Sequence, residues 1–331
     1  MNSITTKDRF PLPNIDAILS AIGKKQVFSS VDLQQGFHQV RVDPSSIEKT
    51  AFSTPSGQYE WMLLPFGLCN APATFQRLTN KLTEGLQFCS VYLDDIIIYS
   101  ETWQEHLVHL QILFKRLRDA NLRMKAKKCE FACKQLLFLG HIVSSEGIEM
   151  DKDKIEAIQR VEFPDTVKRM QRFLGLAGYY RKFIPNYGRL TAPLYDKIVE
   201  ATKTGKFAKL KPDEKSLKSF EDVKKAIATD VLLRYPDFHA AQNDEKRHFV
   251  MLTDASHQGL GAVLCQPDEE LCLRPIYFAS RRTKGGEVRY SATEIEGKGL
   301  HYACYKFYQF IAGCKVTVFT DHNALVYMFK S

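Results

Sequence analysis

Two adjacent aspartates, Asp94 and Asp95, lie between two short apolar runs, 88–93 and 96–99. Apolar runs of this length separated by a polar pair predict a β-hairpin with both acids at its tip. Adjacent carboxylates on a tight turn repel each other, and no basic residue stands beside them in sequence. A divalent cation would offset the repulsion, because Mg²⁺ prefers hard oxygen ligands. An ordinary solvated turn explains the pair equally well, since Asp is a favoured turn residue.

The composition is that of a globular protein with room for two or three domains. Of its 331 residues, 44% are hydrophobic and 25% are charged, which is enough to build several cores. No apolar run reaches membrane-spanning length and the N-terminus has no signal-peptide pattern, so we expect an intracellular, cytoplasmic protein with no membrane partner. The eight cysteines lack the paired Cys/His spacing of a zinc site, which predicts reduced thiols.

Positive charge is concentrated in two segments, although the net formal charge is only +8. Segment 115–135 is rich in Lys and Arg, and segment 168–189 interleaves Lys and Arg with Phe and Tyr. Basic residues with interleaved aromatic residues suit a nucleic-acid backbone. Two solvated helix faces are the alternative explanation.

Hydrophobic periodicity predicts a mixed α+β fold. The first half is predicted to contain, in order, a helix at 15–22, a strand at 27–33, a hairpin across 50–64, a helix at 71–87, the acidic hairpin, a helix at 102–120 and a hairpin of strands 136–143 and 147–150. Segment 151–235 is predicted to be mainly helical. The last part is predicted to contain strands at 249–254, 261–266, 274–279 and 315–321, with a helix at 291–311.

Asp32 lies at the C-terminal end of the predicted strand 27–33, which we expect to join the sheet of the acidic hairpin. Three carboxylates at the ends of neighbouring strands could hold two metal ions. Such a pair of ions lowers the pKa of an attacking hydroxyl and stabilises the leaving oxygens at phosphorus, which is the chemistry of nucleotidyl transfer. The spacing alone leaves open whether Asp32 meets the doublet.

A second set of acids follows the same logic near the C-terminus. Asp254 and Asp321 end predicted strands, and Glu294 and Glu296 lie on the predicted helix between them. Residues two apart on a helix point in roughly opposite directions, so the two glutamates cannot both contribute. Carboxylates converging on one sheet edge would suit two metals and an attacking water, whereas the alternative is that they are ordinary turn residues.

Seven motifs occur in an order and spacing that together are highly specific. They are Phe28-Ser-Ser-Val-Asp-Leu-Gln-Gln-Gly-Phe-His-Gln-Val, Lys49-Thr-Ala-Phe, Leu64-Pro-Phe-Gly-Leu-Cys-Asn-Ala-Pro-Ala-Thr-Phe-Gln, Tyr92-Leu-Asp-Asp, Phe138-Leu-Gly-His-Ile-Val, Phe173-Leu-Gly-Leu-Ala-Gly-Tyr-Tyr-Arg-Lys-Phe-Ile and Thr253-Asp-Ala-Ser. Over nearly its whole length, the chain closely resembles the reverse transcriptase of gypsy-type long-terminal-repeat retrotransposons, continuing into their ribonuclease H domain.

The resemblance implies a multidomain α+β protein with a right-hand polymerase palm, a helical thumb and an RNase-H-like α/β domain. The expected parts are 1–85 as residual fingers and the first part of the palm, 86–150 as palm with catalytic hairpin and primer grip, 151–240 as thumb or connection, and 241–331 as the RNase-H-like domain. The family's Asn-x-x-Thr-x-x-Asp-Arg-Phe-Pro-Leu-Pro segment begins here at Asn2, so we expect most of the fingers to be absent. Because the sequence stops soon after Asp321, we also expect the RNase-H-like domain to be incomplete.

The resemblance also implies residue roles. The metal-binding carboxylates would be Asp32, Asp94 and Asp95 for the polymerase, and Asp254, Glu296 and Asp321 for the nuclease, with two Mg²⁺ at each site and Mn²⁺ as a substitute. Glu296 is preferred to Glu294 by its place in the Thr-Glu-x-Glu pattern. The substrate-binding set would be Phe37 as a steric gate under the sugar, Phe66 and Gly67 against the incoming base and template, Leu139, Gly140 and His141 at the primer end, and Arg169 and Arg172 along the duplex minor groove. For Phe37 a core aromatic is the alternative, and for the arginines a purely structural helix.

The implied partners are an RNA or DNA template with its primer, an RNA–DNA hybrid and deoxynucleoside triphosphates, inside the virus-like particle of the element. Two other functions remain open at this point. One is a non-catalytic nucleic-acid-binding remnant of the family. The other is a dedicated nuclease, which is disfavoured because most of the chain precedes Asp254.

Overall fold

The chain divides into two structural units, Met1–Ser145 and Glu146–Ser331. The computed structural model describes residues 1–204 and 209–328. Both units combine helices with sheets, which confirms the mixed α+β class. Among the described residues, no helix is long and apolar enough to cross a lipid bilayer.

The first unit alternates hairpins and helices much as the periodicity predicts. Its elements are α1 (Ile15–Ile22), β1 (Val27–Asp32), β2 (Phe52–Thr54), β3 (Gly57–Tyr59), α2 (Ala71–Thr83), β4 (Cys89–Tyr92), β5 (Asp95–Ser100), α3 (Trp103–Asp119), β6 (Glu130–Cys133), β7 (Gln135–Phe138) and β8 (His141–Ser144). Short 3₁₀ turns include Gly36–Gln39 and Ala126–Lys128.

A four-stranded antiparallel sheet forms the centre of the first unit, in the order β4-β5-β1-β6. Strand β5 contributes Ile96, Ile97 and Ile98, each 0% exposed. Successive strand residues face opposite sides of a sheet, so this continuous apolar run requires cover on both faces. The core on the face of Ile96 and Ile98 includes buried residues of α2 and α3. Burial of this core stabilises the sheet whose strand ends carry the acidic residues.

The predicted single strand at 136–143 is wrong. The chain reverses at Leu139 and Gly140, which have φ values of 45° and 66°, so the segment is two strands, β7 and β8, paired as a hairpin. Two consecutive residues with positive φ are typical of a two-residue hairpin turn, because the twist of such a turn matches the twist of the two strands that it joins. Leucine at such a position gives no turn signal, which explains the error.

The second unit begins with helices and ends in a mixed sheet. Its elements are β9 (Ile148–Met150), α4 (Lys152–Gln159), α5 (Val167–Tyr179), α6 (Tyr187–Leu190), α7 (Ala192–Thr204), α8 (Glu214–Ala228), α9 (Phe238–Asn243), β10 (Phe249–Ser256), β11 (Gly259–Pro267), β12 (Leu273–Arg282), α10 (Ala292–Ile311), β13 (Val316–Phe319) and α11 (Asn323–Met328).

The mixed sheet of the second unit has the order β12-β11-β10-β13, with β10 and β13 parallel. Helix α10 packs on β10 and β11 around a core that includes Phe249, Ile295 and Phe307. A Cβ on Gly299 would lie 2.9 Å from the Cβ of Ala255. Glycine therefore permits the close approach of α10 to β10. The packing of the helix on the strand offsets the low helix propensity of glycine.

Candidate catalytic centres

Strand pairing brings three aspartates together at one end of the first sheet. Asp32, the last residue of β1, lies opposite Asp95, the first residue of β5. Asp94 lies in the turn before β5, where its carbonyl oxygen accepts a hydrogen bond from the backbone N–H of Leu33 at 3.1 Å. The sequence prediction put both acids of the doublet at the hairpin tip. In the structure Asp94 is in the turn and Asp95 is already part of the sheet.

The three carboxylates interact strongly enough to alter the protonation of Asp95. Partial burial raises the pKa of Asp95 to about 6, and the negative charges of Asp94 and then Asp32 add to the rise, while Lys128 opposes it. Burial and like charges both disfavour the ionised form of a carboxyl group. Asp95 is therefore the member of the triad that is least able to carry its charge without a cation.

Lys128 supplies a positive charge to this end of the sheet. Its Nζ lies 3.0 Å from Oδ2 of Asp32, and the hydrogen bond with that carboxylate raises the pKa of the lysine. The Ala126–Lys128 turn is held in place by a hydrogen bond from the backbone N–H of Lys125 to the carbonyl oxygen of Asp32, at 2.9 Å. Lys128 was not predicted from the sequence, because it lies far from the doublet along the chain. Its position in the basic segment 115–135 could have indicated a role beside the carboxylates.

The turn between β4 and β5 has an unfavourable backbone conformation at Leu93. The pair Tyr92 and Asp95 closes the hairpin, and Leu93 has a φ of 55°. A residue with a Cβ is disfavoured there by roughly 1–2 kcal/mol. The Leu93 N–H donates a hydrogen bond of 2.7 Å to Oε1 of Gln76, a buried residue of α2. Gln76 was also not predicted from the sequence. A polar residue on the apolar face of a helix could have indicated its role.

The donor chemistry of the triad fits divalent cations. Within residues 1–204 and 209–328, no three His, Cys, Asp or Glu side chains already stand in the arrangement of a metal centre. Yet Lys128 pairs with only one of the three carboxylates, and the pKa of Asp95 is raised first by burial and then by the negative charges of Asp94 and Asp32. Carboxylate oxygens are the ligands that Mg²⁺ prefers.

Phe37, Phe66 and Gly67 lie in the same unit. The half-buried ring of Phe37 packs 5.4 Å from the ring of Phe66 and 5.5 Å from that of Phe75, between ring centroids. Phe66 is 64% exposed, and Gly67 has a φ of 94°. The residue before Phe37 is Gly36, where a Cβ would lie 3.3 Å from the Cβ of Asp94. Phe37 therefore follows a residue that packs directly against the acidic triad.

The three residues predicted to grip the primer form the turn between β7 and β8. Leu139 and Gly140 are its two turn residues, and His141 is the first residue of β8. The side chain of His141 is buried, with Nδ1 2.7 Å from the carbonyl oxygen of Leu139. At this position the imidazole supports the turn, so a ligand would meet the backbone of Leu139 and Gly140.

Arg169 and Arg172 belong to the second unit, on helix α5. Both are exposed, and a spacing of three residues puts them on one helix face. Arg169 also forms an exposed ion pair of 3.0 Å with Asp165. Phe173 and Leu174 are buried, so the same helix has one apolar face and one basic face.

The second acidic set gathers around Glu296 on helix α10. This side chain is buried, and its Oε2 has no hydrogen-bond partner among the described residues. Burial raises the pKa of Glu296, and the nearby negative charges of Asp321 and Asp254 add to this rise. Asp254 lies in β10 opposite Gly261, and the strand continues two residues beyond it to Ser256, so the prediction that Asp254 ends the strand is slightly wrong. Asp321 lies two residues beyond β13, so the prediction that it ends a strand is slightly wrong.

The two glutamates of α10 have separate environments. Glu294 accepts hydrogen bonds from the backbone N–H and the hydroxyl of Ser291, both at 2.8 Å, and so caps the helix. Glu296 instead points toward Asp254 and Asp321, with an unpartnered buried oxygen. A buried carboxylate oxygen without a hydrogen bond is costly, and a cation would satisfy it. The donor set of Asp254, Glu296 and Asp321 therefore also fits divalent metal.

Comparisons with known proteins define the class of this chain. Residues 1–143 match the family model for reverse transcriptase (RNA-dependent DNA polymerase). Residues 244–331 match the model for the RNase H-like domain found in reverse transcriptase. The chain thus carries both domains of the reverse transcriptase family, a family that generally uses divalent metal.

Its relatives are retrotransposon polyproteins. The chain is 44% identical over 327 residues to the Retrovirus-related Pol polyprotein from transposon 297 of Drosophila melanogaster, covering 98% of this chain and 29% of that protein. It is 38% identical over 336 residues to the corresponding polyprotein from transposon gypsy of the same organism, covering 99% and 31%. It belongs to the reverse transcriptases homologous to gypsy-type Pol polyproteins, and it spans about a third of the length of these relatives.

Solved structures share the fold. The foamy viral protease-reverse transcriptase dRH in complex with double-stranded DNA has a TM-score of 0.86 at 24% identity, over 100% of this chain and 56% of that chain. The foamy viral protease-reverse transcriptase in complex with RNA/DNA hybrid has a TM-score of 0.82 at 25% identity, over 98% and 43%.

The raised pKa of Asp95 predicts a pH-dependent effect of Asp95→Asn in metal-free buffer. An unfolded Asp ionises near pH 3.9, whereas folded Asp95 has a pKa of about 6. Between these values the folded state binds the extra proton, so the stability of the wild type falls as pH rises. We expect Asp95→Asn to be more stable than the wild type above pH 6, by about 1–2 kcal/mol after solvent screening, and to lose this advantage below about pH 4.

Thermal unfolding midpoints in EDTA between pH 4 and pH 8 measure this difference. Asp119→Asn, at an exposed carboxylate of the same unit, is the matched control and should show no comparable trend. A pH-independent difference between Asp95→Asn and the wild type would contradict the assignment of repulsion to this site.

Proposed function

We propose that this chain is the polymerase and ribonuclease H segment of a retrotransposon Pol polyprotein. Its first reaction is templated attack of a primer 3′-hydroxyl on the α-phosphate of a deoxynucleoside triphosphate, with release of pyrophosphate. Its second is cleavage of the RNA strand of an RNA–DNA hybrid. The observation that carries the proposal is the antiparallel register that sets Asp32 opposite Asp95, beside Asp94.

In the polymerase reaction, Asp32, Asp94 and Asp95 would hold two Mg²⁺, with Mn²⁺ as a substitute. When bound, these cations lower the pKa of the attacking hydroxyl and stabilise the charge on the leaving oxygens. The carboxylates must be ionised to bind a cation, so a pKa of about 6 at Asp95 favours binding at neutral pH and opposes it in acid. Lys128 pairs with Asp32 and limits repulsion in the free protein.

Substrate selection falls to the aromatic residues next to the triad. Phe37, held between Phe66 and Phe75, would lie under the sugar and exclude a 2′-hydroxyl. The exposed ring of Phe66 offers an apolar surface to the incoming base and template. Gly67, with its positive φ, lets the backbone turn there without a side chain.

The nucleic-acid duplex would be held through turns and helices with few base contacts. The backbone of Leu139, Gly140 and His141 would support the primer end, and the basic face of Arg169 and Arg172 would follow the minor groove. We assign residues 1–85 to fingers and palm, 86–150 to palm, 151–240 to thumb or connection and 241–331 to the RNase-H-like domain. The foamy viral proteins of similar fold are in complex with double-stranded DNA and with RNA/DNA hybrid, which supports duplex partners for this chain.

In the nuclease reaction, Asp254, Glu296 and Asp321 would hold the divalent cations that activate a water molecule against phosphate. The unpartnered Oε2 of Glu296 is the atom that most needs such a ligand. The buried position of Glu296 keeps its orientation fixed, because α10 approaches β10 closely at Gly299. Both proposed centres thus use carboxylates placed at sheet ends.

Asp95→Asn is expected to abolish extension of a primed RNA template while hybrid binding stays within about twofold. The substitution removes one negative ligand and leaves the basic surfaces intact, and loss of a transition-state interaction lowers kcat rather than affinity. Incorporation of labelled deoxynucleotide with Mg²⁺ or Mn²⁺ and hybrid binding by anisotropy measure the two quantities. Equal extension by wild type and variant would contradict the catalytic assignment. Hybrid binding without extension by the wild type would favour a non-catalytic remnant.

Phe37→Ala is expected to admit ribonucleotides. Removing the ring opens space under the sugar, so the preference for deoxynucleotide over ribonucleotide should fall by at least tenfold in kcat/KM. Phe75→Leu, which changes a neighbouring buried ring of the same stack, controls for general loosening of the core. Unchanged sugar discrimination by Phe37→Ala would remove Phe37 from this role.

A further inference from the structure

Among the described residues, no strand pairs with the outer edge of β4, which is the first strand in the sheet order β4-β5-β1-β6. The pair Tyr92 and Asp95 closes the hairpin toward β5. In an antiparallel pair, alternate residues turn their backbone polar groups to opposite sides. The backbone groups of Val91 and Leu93 therefore face the outer edge, at the strand that leads into the acidic doublet.

The side-chain amide of Gln76 covers this edge. Its Oε1 accepts a hydrogen bond from the Leu93 N–H at 2.7 Å, and its Nε2 lies 3.4 Å from the Val91 carbonyl oxygen. Nε2 also donates to Oδ1 of Asn80 at 2.7 Å. One amide thus bonds two backbone groups that are two residues apart, as the backbone of a neighbouring strand would. Gln76 is 0% exposed, so water does not compete for these bonds.

The turn needs such support because its own sequence does not favour it. Leu93 has a φ of 55°, in a region where glycine is preferred at the first position of a two-residue hairpin turn. Gly36 also packs against this turn, since a Cβ on Gly36 would lie 3.3 Å from the Cβ of Asp94 and 2.7 Å from the ring of Phe75.

We propose that Gln76 is a positioning residue of the polymerase centre: its buried amide holds Leu93 in the left-handed conformation that presents Asp94 and Asp95 to the metals. The inference rests on the proposed polymerase function for its catalytic consequence. Its structural part, the fixing of the turn, does not depend on activity. Gln76 touches no substrate in this account and acts through the backbone of Leu93.

Gln76→Met is the test variant, because methionine fills a similar buried volume without any of these three hydrogen bonds. Thr79→Val is the matched control: Thr79 is also 0% exposed on α2, and its hydroxyl bonds only carbonyl oxygens of that helix among its described contacts. We expect Gln76→Met to lower kcat for deoxynucleotide incorporation by 10- to 100-fold, as displacements of about 1 Å do, with KM within about threefold. Thr79→Val should keep both constants.

Amide hydrogen exchange supplies a readout that is independent of activity. In Gln76→Met, the peptide spanning residues 89–99 should exchange at least tenfold faster than in the wild type, while peptides of β1 and α3 stay protected. Thr79→Val should leave the exchange of that peptide unchanged. Protection of β1 and α3 also shows that the variant has folded.

Leu93→Gly tests the mechanism further, since glycine accepts the positive φ without strain. In a Leu93→Gly background, the kcat lost on adding Gln76→Met should be at least threefold smaller than in the wild-type background. Equal losses in both backgrounds would overturn the claim that Gln76 acts by holding Leu93.

Two results separate this inference from the proposed function. Unchanged exchange of peptide 89–99 and unchanged kcat in Gln76→Met would overturn the role of Gln76 while the polymerase assignment stands. A wild type that extends no primer would overturn the polymerase assignment, and exchange alone would then decide whether Gln76 fixes the turn.

Discussion

Mutual repulsion among Asp32, Asp94 and Asp95 is the constraint on which the first unit depends. The carboxylates are held together by a register that buries Ile96, Ile97 and Ile98 completely. Complete burial of these apolar side chains stabilises the sheet, so core burial offsets the electrostatic cost. Burial raises the pKa of Asp95, the negative charges of Asp94 and Asp32 add to the rise, and Lys128 opposes it. Three carboxylates that the fold holds close together favour a cation, because a bound cation would reduce their mutual repulsion.

The second unit uses a different sheet for a similar arrangement. There the repulsion centres on a helix residue, Glu296, which is buried near Asp254 and Asp321. Close approach of α10 to β10 depends on Gly299, which has no side chain to hold the elements apart. In both units, backbone packing sets the positions of the acids.

The parts of the fold that local signals govern were predictable. Alternating apolar runs and polar turns located the hairpin of the doublet, and the strand ending in Asp32 joined the same sheet. The reversal at Leu139 and Gly140 was not predictable, because leucine gives no turn signal. Lys128 and Gln76 were missed for another reason: each meets its partner across a long stretch of sequence, and such contacts follow from tertiary packing.

The most direct test of the central claim is the position of bound manganese. Anomalous scattering from crystals soaked in Mn²⁺ locates the ion without reference to activity. We expect a Mn²⁺ peak within about 2.5 Å of carboxylate oxygens from Asp32 and from at least one residue of the doublet. We also expect the side chain of Lys128 to be displaced from Asp32. Manganese bound elsewhere in the first unit, with the ion pair between Lys128 and Asp32 intact, would contradict it.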